Sequence, residues 1–340
     1  MVKHILEKLI SKTSLTESES YNFMKNVMMG KVTDIQLSGV LIALRVKKEN
    51  PDEVTGFARA MREKMIKIDL DYEAIDMCGT GGDYHGTFNI STAACFVTAG
   101  AGVKIAKHGN KAISSSSGSA NVLESLGINI NKSVAASKSD IKNHNLGFMF
   151  APSYHPAMKY AMNVRNDLKL KTVFNILGPL CNPALVKSQA MGTFDKNLTE
   201  IQAKVLKNLG SKNVMTFCSD EGLDELTTTG KTKVTQFMNG GEIKSFEFEP
   251  ESIGLTRSNI EDLKGGTPDE NAKIIIEILQ GAEGPKTDIV LLNAAAGIIV
   301  GGKADDFQNA FKIAKLSIEN GNAIKVLEGL RSWMTYFQKF

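Results

Sequence analysis

A glycine-rich segment at residues 78–92 constrains the fold of this chain more than any other stretch. It reads Cys78-Gly-Thr-Gly-Gly-Asp-Tyr-His-Gly-Thr-Phe-Asn-Ile-Ser-Thr92 and follows a short apolar run, residues 74–78, that is typical of a buried strand. Its glycines allow a sharp turn that brings backbone N–H groups close to an anion. Because a helix is predicted to begin near Asn89, its free N–H groups would face the same place. The segment therefore fits a pyrophosphate cradle, although Gly-Thr-Gly-Gly alone also fits a plain turn.

The composition excludes several classes of protein. Of the 340 residues, 42% are hydrophobic and 23% are charged, which is ordinary for a globular protein, and a net charge of +3 is too small to indicate a nucleic-acid or membrane partner. The four cysteines form no Cys-x-x-Cys pair, which fits a reducing compartment and a cytoplasmic location. Residues 4–10 are typical of an amphipathic helix, and the apolar run at 289–300 is too short to cross a bilayer.

The chain divides into a helical and an α/β part. Capping boxes at Thr16 and Thr33, and Asn50 followed by proline, predict helices in residues 1–68. From residue 74, short β-type runs alternate with helical stretches, which predicts a mainly parallel sheet covered by helices. The predicted strands are residues 74–78, 103–106, 147–150, 191–193, 214–218 and 289–292, and a hairpin at 231–248 turns at Asn239-Gly-Gly241.

We therefore expect an α/β fold with a small all-helical domain and a large α/β domain. The small domain would span 1–68 and be joined by helices from about 156 to 172, and the large one would span 73–340. Residues 69–72 would form the hinge, and a cleft between the two parts would hold the ligand.

A second anion site is predicted at residues 107–124. Lys107 supplies charge, Gly109 and Gly118 supply backbone freedom, and the serines at 115–119 can hydrogen-bond a phosphate monoester near a helix start. The other interpretation is a flexible serine loop.

An acidic segment at 219–226 follows the predicted strand 214–218, at the sheet edge where α/β folds bind ligands. There Asp224 and Glu225 could hold magnesium beside substrate phosphates, whereas alone they would fit a solvated surface.

A helix at residues 156–168 carries a candidate binding surface for an aromatic carboxylate. Met158, Met162 and Arg165 recur at spacings of four and three, so they share one helix face. Apolar side chains and a guanidinium on one face suit a flat aromatic acid, although core packing is the common role of such methionines.

These segments together resemble the anthranilate phosphoribosyltransferase family over residues 74 to 226. The matching motifs are Gly-Thr-Gly-Gly-Asp, Asn-x-Ser-Thr, Lys-His-Gly-Asn, His-Pro-x-x-Lys with its arginine, Phe-Asn-x-Leu-Gly-Pro-Leu-x-Asn-Pro, and the Asp-Glu pair. The resemblance implies a homodimer with the nucleoside phosphorylase-like phosphoribosyltransferase fold. It also implies transfer of phosphoribose from phosphoribosyl pyrophosphate (PRPP) to the amine of anthranilate, with two magnesium ions, in tryptophan biosynthesis.

The resemblance also implies roles for individual residues. The PRPP-binding residues would be Gly79, Thr80, Gly82, Asp83, Thr87, Asn89, Ser91, Thr92, Lys107, Ser115, Ser116, Ser117, Gly118 and Ser119. Anthranilate would lie near Gly79, His108, Asn110, His155, Met158, Arg165 and Gly178, with His108 and Arg165 as catalytic residues. Magnesium would be held by Ser91, Asp224 and Glu225.

The chain departs from the family pattern at three positions. The family commonly has arginine where this chain has Lys111 and Lys171, which keeps the charge but loses planar bidentate binding. It commonly has aspartate where this chain has Asn121. Two other functions stay open: a pyrimidine nucleoside phosphorylase, which would cleave nucleosides with phosphate and without magnesium, and a non-catalytic nucleic-acid-binding relative, which would need a broad basic groove.

Overall fold

The structure, a computed structural model, describes residues 1–83, 85–111 and 117–337. Its first part is the predicted helical bundle: α1 (Val2–Ile10), α2 (Glu17–Met28), α3 (Asp34–Lys47) and α4 (Pro51–Lys64). Local sequence explains where these helices begin. Thr16, Thr33 and Asn50 each accept a hydrogen bond from the backbone three residues later, and the Glu or Gln at that position bonds back, which satisfies N–H groups that a helix start leaves free.

The second part contains a seven-stranded sheet whose order is β3-β2-β1-β4-β5-β6-β7. Its strands are β1 (Ile75–Gly79), β2 (Ile105–Gly109), β3 (Leu146–Phe150), β4 (Ser188–Gly192), β5 (Asn213–Ser219), β6 (Thr232–Phe237) and β7 (Lys244–Phe248). Strands β1 to β5 are parallel, and β6 and β7 form the predicted antiparallel hairpin. The strand order reverses beside β1, so a crevice between β1 and β4 opens at the carboxyl edge of the sheet, where such folds bind ligands.

Helices cover both faces of the sheet. They are α5 (Ile90–Gly100), α6 (Ser119–Ser125), α7 (Val134–His144), α8 (Ala151–Tyr154), α9 (Lys159–Leu168), α10 (Phe174–Leu177), α11 (Lys196–Asn208), α12 (Pro268–Leu279), α13 (Pro285–Val300), α14 (Phe307–Glu319) and α15 (Asn322–Phe337). Short 3-10 turns lie at Pro156–Met158, Gly178–Leu180, Pro250–Ile253 and Ile260–Leu263. Across the described chain, no helix combines the length and apolarity needed to cross a membrane.

Helix α9 returns to the helical bundle, as the sequence predicts. The ring of Tyr160 lies against Gly30 at the end of α2, and Asn163 approaches Asp34 at the start of α3. One helix from the α/β part of the chain therefore packs against the small bundle. The domain boundaries at residues 68 and 73 stay predictions.

The strand predicted at residues 289–292 is wrong, because this stretch lies inside α13. The helix is buried along residues 287–300, and a helix that is apolar on all sides lacks the periodicity that separates it from a buried strand. Asn293 is satisfied within this core, since its side chain donates to the carbonyls of Ile289 and Leu226. Residues 297–304 form the end of α13 and the turn that follows it.

Candidate active site

The first glycine loop leaves β1 at the crevice and is tied to β4 and the acidic segment. Thr80 N–H donates to the carbonyl of Gly192 at 3.0 Å, and its hydroxyl accepts from the Phe194 N–H at 3.1 Å. Gly81 and Gly82 have φ of +67° and +73°, the left-handed region that favours glycine. The sharp turn predicted here is confirmed, and it places the loop at the carboxyl edge of the sheet.

Helix α5 begins beside this loop, with Asn89 as its N-terminal residue. The Asn89 side chain does not cap the helix; instead its Oδ1 accepts from Ser117 Oγ at 3.0 Å and from Asn271 Nδ2 at 3.1 Å. Asn89 therefore joins the helix start to the serine segment and to α12. Asn271 was not predicted as a neighbour of the site, because a single asparagine 182 residues away gives no local signal.

The acidic pair lies directly under the loop. Gly81 N–H donates to Asp224 Oδ2 at 2.6 Å, and Ser91 N–H, in the first turn of α5, donates to Glu225 Oε1 at 3.0 Å. A Cβ on Gly79 would overlap the Asp224 carboxylate, so glycine is required there for the close approach. The loop, the helix start and the acidic segment thus meet at one point, although the acidic segment lies 134 to 143 positions away along the chain.

These carboxylates repel one another. Burial, together with the charge of Asp83, raises the pKa of Asp224 to about 7, and burial, together with Asp224, raises the pKa of Glu225 well above its usual value. Within the described ranges, no group of three or more His, Cys, Asp or Glu side chains has the geometry of a metal site. Two buried carboxylates that favour a counter-charge nevertheless fit magnesium, which commonly takes one or two protein carboxylates plus water and substrate phosphates.

Lys107 lies deeper than a phosphate-binding lysine would. Its side chain is buried, and its Nζ donates to the Met77 carbonyl of β1 at 2.7 Å. Its charge nevertheless acts on Glu225 and lowers the pKa of that carboxyl, against the larger effect of burial. Thr92 is likewise buried, at 1% exposure, on the inner side of α5. Both residues therefore lie behind the cradle.

The second anion motif is described only in part, because Ser115 and Ser116 lie outside the described residues. Ser117 contacts Asn89, and the Ser119 hydroxyl donates to the carbonyl of Asn110 at 3.3 Å. Asn121 accepts from the Gly118 N–H at 3.2 Å, so this departure from the family pattern still caps the start of α6.

Two histidine rings contact each other at a tilt of 47° near the end of β2. The rings of His108 and His155 have centroids 4.9 Å apart, and burial, with His155 as neighbour, lowers the pKa of His108 to about 3. Burial lowers the pKa of His155 to about 4. Both imidazoles are therefore neutral at pH 7. Their Nε2 atoms are buried and have no hydrogen-bond partner among the described residues.

The wall next to the histidines is open at Gly178. A Cβ there would meet no atom within 4 Å, whereas the carbonyl of Gly178 favours protonation of His108 and therefore faces that ring. Buried ring nitrogens without a hydrogen-bond partner are uncommon in folded proteins and often mark a functional position.

Arg165 lies on α9, partly buried, with its guanidinium carbon 5.6 Å from the centroid of the Phe174 ring. It forms no salt bridge with any residue in the described part of the chain, and burial lowers its pKa. Met158 lies in the 3-10 turn before α9 and is half-buried, and Met162 is exposed. Met158 packs against the hydrophobic core of the bundle, whereas Met162 does not, so core packing accounts for one methionine of the pair.

Two family models match the chain. Residues 71–324 match the a/b domain of a glycosyl transferase family, and residues 3–65 match a glycosyl transferase helical bundle domain. The class is therefore a glycosyl transferase built from a helical bundle and an α/β domain.

Curated relatives and solved structures narrow this class. Anthranilate phosphoribosyltransferases from Thermoanaerobacter sp. (strain X514) and Petrotoga mobilis are 46% and 45% identical, each over 96% of this chain and over 97% and 95% of their own lengths. The crystal structure of that name from Thermus thermophilus matches with a TM-score of 0.91 and 36% identity, covering 97% of this chain and 99% of its own. A Saccharomyces cerevisiae structure in complex with PRPP and Mg matches with a TM-score of 0.89 and 28% identity, covering 97% of each chain. The chain therefore belongs to the anthranilate phosphoribosyltransferase family.

The family and the fold class predicted from sequence are thereby confirmed. The roles of individual site residues stay predictions. The structure brings the glycine loop, the start of α5 and the acidic pair together, and it brings His108, His155 and Gly178 together beside them.

Proposed function

We propose that this chain transfers the 5-phosphoribosyl group of PRPP to the amine of anthranilate, releasing pyrophosphate, as a step of tryptophan biosynthesis. One observation carries the proposal: a glycine loop with two buried carboxylates and a pair of neutral imidazoles lie at the carboxyl ends of neighbouring strands, the loop after β1 and His108 near the end of β2. The reaction needs both, because its donor is a pyrophosphate ester and its acceptor is a flat aromatic acid.

The pyrophosphate would bind at the first loop and the start of α5. The residues assigned there are Gly79, Thr80, Gly82, Asp83, Thr87, Asn89, Ser91 and Thr92. Ser91, Asp224 and Glu225 would hold magnesium, here as two ions, and when bound it would neutralise the charge of the leaving pyrophosphate. The N–H groups of Gly81 and Ser91 already donate to these two carboxylates, which holds the loop and the helix start beside the proposed magnesium ligands.

The ribose phosphate would bind at the second motif, on Lys107 and on Ser115, Ser116, Ser117, Gly118 and Ser119. The hydroxyls and N–H groups of the serine segment supply donors at the start of α6. Since Lys107 is buried and bonded to the Met77 carbonyl, we propose that its charge acts from behind the cradle.

Anthranilate would bind in the histidine pocket. The residues assigned there are Gly79, His108, Asn110, His155, Met158, Arg165 and Gly178. Arg165, which has no carboxylate partner among the described residues, would pair with the carboxylate of anthranilate. The orphaned Nε2 of His108 would accept a hydrogen bond from the amine and orient its lone pair toward the anomeric carbon.

The covalent step breaks the bond between the anomeric carbon and the pyrophosphate oxygen, and the electron pair leaves with pyrophosphate. The amine nitrogen forms the new bond and then loses a proton to solvent. With a pKa of about 3, His108 is too weak a base to retain that proton at neutral pH. We therefore assign His108 to hydrogen bonding with the amine and to its orientation.

We further propose that the protein is a homodimer. Ile35 and Val46, one on each end of α3, are 87% and 71% exposed, and Ile10 at the end of the adjoining α1 is 73% exposed. Exposed apolar side chains on one bundle indicate a contact surface, and a second copy of this chain is its proposed occupant. Light scattering should give twice the chain mass, and Ile35→Glu with Val46→Asp should give the mass of one chain. One-chain mass for the unaltered protein would contradict the dimer.

All four cysteines are buried and free, which fits the reducing cytoplasm that we propose as the location.

A fluorescence assay of anthranilate consumption tests the function. The unaltered protein should consume anthranilate only when PRPP and magnesium are both present. Arg165→Ala should raise the KM for anthranilate about tenfold or more, because a charge-assisted hydrogen bond is lost. Absence of turnover by folded protein would refute the proposal. Phosphate-dependent nucleoside cleavage without magnesium would instead favour a pyrimidine nucleoside phosphorylase.

A further inference from the structure

Lys171 lies beside the first glycine loop, although the sequence marks it only as a departure from the family pattern. Its Nζ is 4.0 Å from the centroid of the Phe194 ring. A Cβ placed on Gly82 would lie 3.3 Å from Lys171 Cε and 3.8 Å from its Nζ. The lysine side chain therefore extends along the open side of the loop that we assign to pyrophosphate.

The surroundings of this ammonium are acidic. Burial lowers the pKa of Lys171, and the charges of Asp83 and Asp224 oppose that shift. Of these two carboxylates, Asp224 accepts from the Gly81 N–H, and Asp83 is part of the glycine loop itself. The Lys171 ammonium therefore already lies beside the loop that we assign to pyrophosphate. There the phosphates would replace the carboxylates as its counter-charge.

Both parts of the fold hold Lys171 in this position. Arg45, near the end of α3 in the helical bundle, donates through its guanidinium to the Lys171 backbone carbonyl. Phe194 follows β4 in the α/β part, and its N–H is held by the Thr80 hydroxyl of the glycine loop. The lysine backbone is therefore anchored from the bundle, and its ammonium rests on a ring that is anchored to the cradle.

The contact between the Lys171 ammonium and the Phe194 ring allows the ammonium to move by a small distance. An ammonium over an aromatic face is attracted by the ring quadrupole, commonly less strongly than by the acceptor of a charge-assisted hydrogen bond. Lysine also has a flexible stem and rotatable donors. A phosphate oxygen in the cradle would therefore compete successfully with the ring for the ammonium.

We propose that Lys171 binds the pyrophosphate group of PRPP and stabilises the negative charge of the departing pyrophosphate, and that Arg45 is the positioning residue that holds it there. The ammonium donates hydrogen bonds and takes no part in bond making or breaking. This inference rests on the proposed function, since it deepens the account of the same site.

Kinetics of Lys171→Gln test the proposal. Its KM for PRPP should rise about tenfold or more, the size expected for a lost charge-assisted hydrogen bond, while the KM for anthranilate stays within about twofold. Pyrophosphate should become a weaker product inhibitor by the same factor. Lys171→Arg, which restores a cation, should recover most of the loss. An unchanged KM for PRPP in Lys171→Gln, in an enzyme whose unaltered form turns over, would overturn the proposal.

The matched control is Lys169→Asn. Lys169 is exposed, has a left-handed φ of +49° that asparagine tolerates, and forms no side-chain hydrogen bond or ion pair with the described residues. It lies two positions from Lys171 and carries the same charge. We expect its kinetic constants to match the unaltered protein. An equal rise in the PRPP KM for both variants would point to general charge loss and refute a specific contact.

Calorimetry separates this inference from the proposed reaction. Inorganic pyrophosphate with magnesium is titrated into the unaltered protein and into Lys171→Gln, so no turnover is needed. Binding weakened about tenfold supports the contact, and equal binding overturns it. Arg45→Ala should weaken binding by a smaller factor, and Arg45→Lys, which keeps a donor for the carbonyl, should restore it. A loss of thermal stability in Arg45→Ala with unchanged pyrophosphate binding would reduce Arg45 to a structural role and refute its assignment.

Discussion

Asp224→Asn should stabilise the ligand-free protein while abolishing its activity. Asp224 is 8% exposed, and its Oδ2 accepts from the Gly81 N–H. Asparagine offers an oxygen to the same donor and has nearly the same volume, so the loop geometry is retained. The substitution removes one of the mutually repelling charges that we assign to magnesium binding. Replacing a repelling charge in a functional site commonly raises the stability of the folded protein and lowers its activity.

The size of the effect follows from the pKa. Burial raises the pKa of Asp224 from 3.8 to about 7. Between these values the unfolded chain is charged while the folded protein still binds a proton, so this group costs stability increasingly as the pH rises and reaches its full cost above pH 7. At about 1.4 kcal/mol for each pKa unit, the full cost is about 4 kcal/mol. At pH 5 less than half of it applies.

Thermal unfolding at pH 8 and pH 5 tests this reasoning. At about 1.4 °C for each kcal/mol in a protein of this size, Asp224→Asn should raise the Tm by about 6 °C at pH 8. The gain should fall by more than half at pH 5. Added magnesium and PRPP should raise the Tm of the unaltered protein but not that of the variant.

The control is Asp167→Asn, because Asp167 is an exposed carboxylate on α9 that forms no salt bridge with the described residues. It should change the Tm little at either pH. The reasoning is refuted if Asp224→Asn is no more stable than the unaltered protein at pH 8, or if its gain is the same at both pH values.

Three further predictions concern the loop, the histidines and the bundle. Gly82→Ala and Gly86→Ala both force a residue with a Cβ into left-handed backbone, so each should lower the free energy of unfolding by about 1 kcal/mol. Only Gly82 has Lys171 beside it, so only Gly82→Ala should also raise the KM for PRPP. Because the pKa of His108 is lowered to about 3, kcat/KM for anthranilate should show no ionisation from this imidazole between pH 6 and 8, whereas His108→Ala should lower kcat/KM at every pH in that range. Thr33→Ala should cost about 1 kcal/mol in urea unfolding by removing the capping box of α3.

Each of these has an outcome that would contradict it. Equal rises in the PRPP KM for the two glycine variants would show that backbone strain, and not the cradle, limits binding. A step in the pH profile near 6.5 that disappears in His108→Ala would show that the imidazole titrates at its ordinary value. Unchanged urea stability in Thr33→Ala would show that packing of the bundle, and not the cap, sets the start of α3.

Much of the fold was accessible from the sequence because its signals are local. The capping boxes at Thr16 and Thr33 need only four consecutive residues, and each one begins a helix in the structure. The glycine loop was recognisable for the same reason, since a strand end, a turn and a helix start lie within residues 78–92. The failure at residues 289–292 has the opposite cause. A fully buried helix and a fully buried strand both appear as unbroken apolar runs, and only packing on all sides distinguishes them.

The residue types of the candidate site could be recognised from the amino-acid sequence alone, because the glycine turn, the acidic pair, the histidines and the family pattern are all properties of short segments. The distances between these segments could not be predicted from the sequence. The contact of Gly81 with Asp224 joins residues 143 positions apart, and that of Arg45 with Lys171 joins residues 126 apart. Such contacts form because parallel strands bring their carboxyl ends to one edge and the helical bundle packs against the same edge. The pKa values of the site follow from that burial, since the same carboxyl and imidazole groups would titrate normally in water.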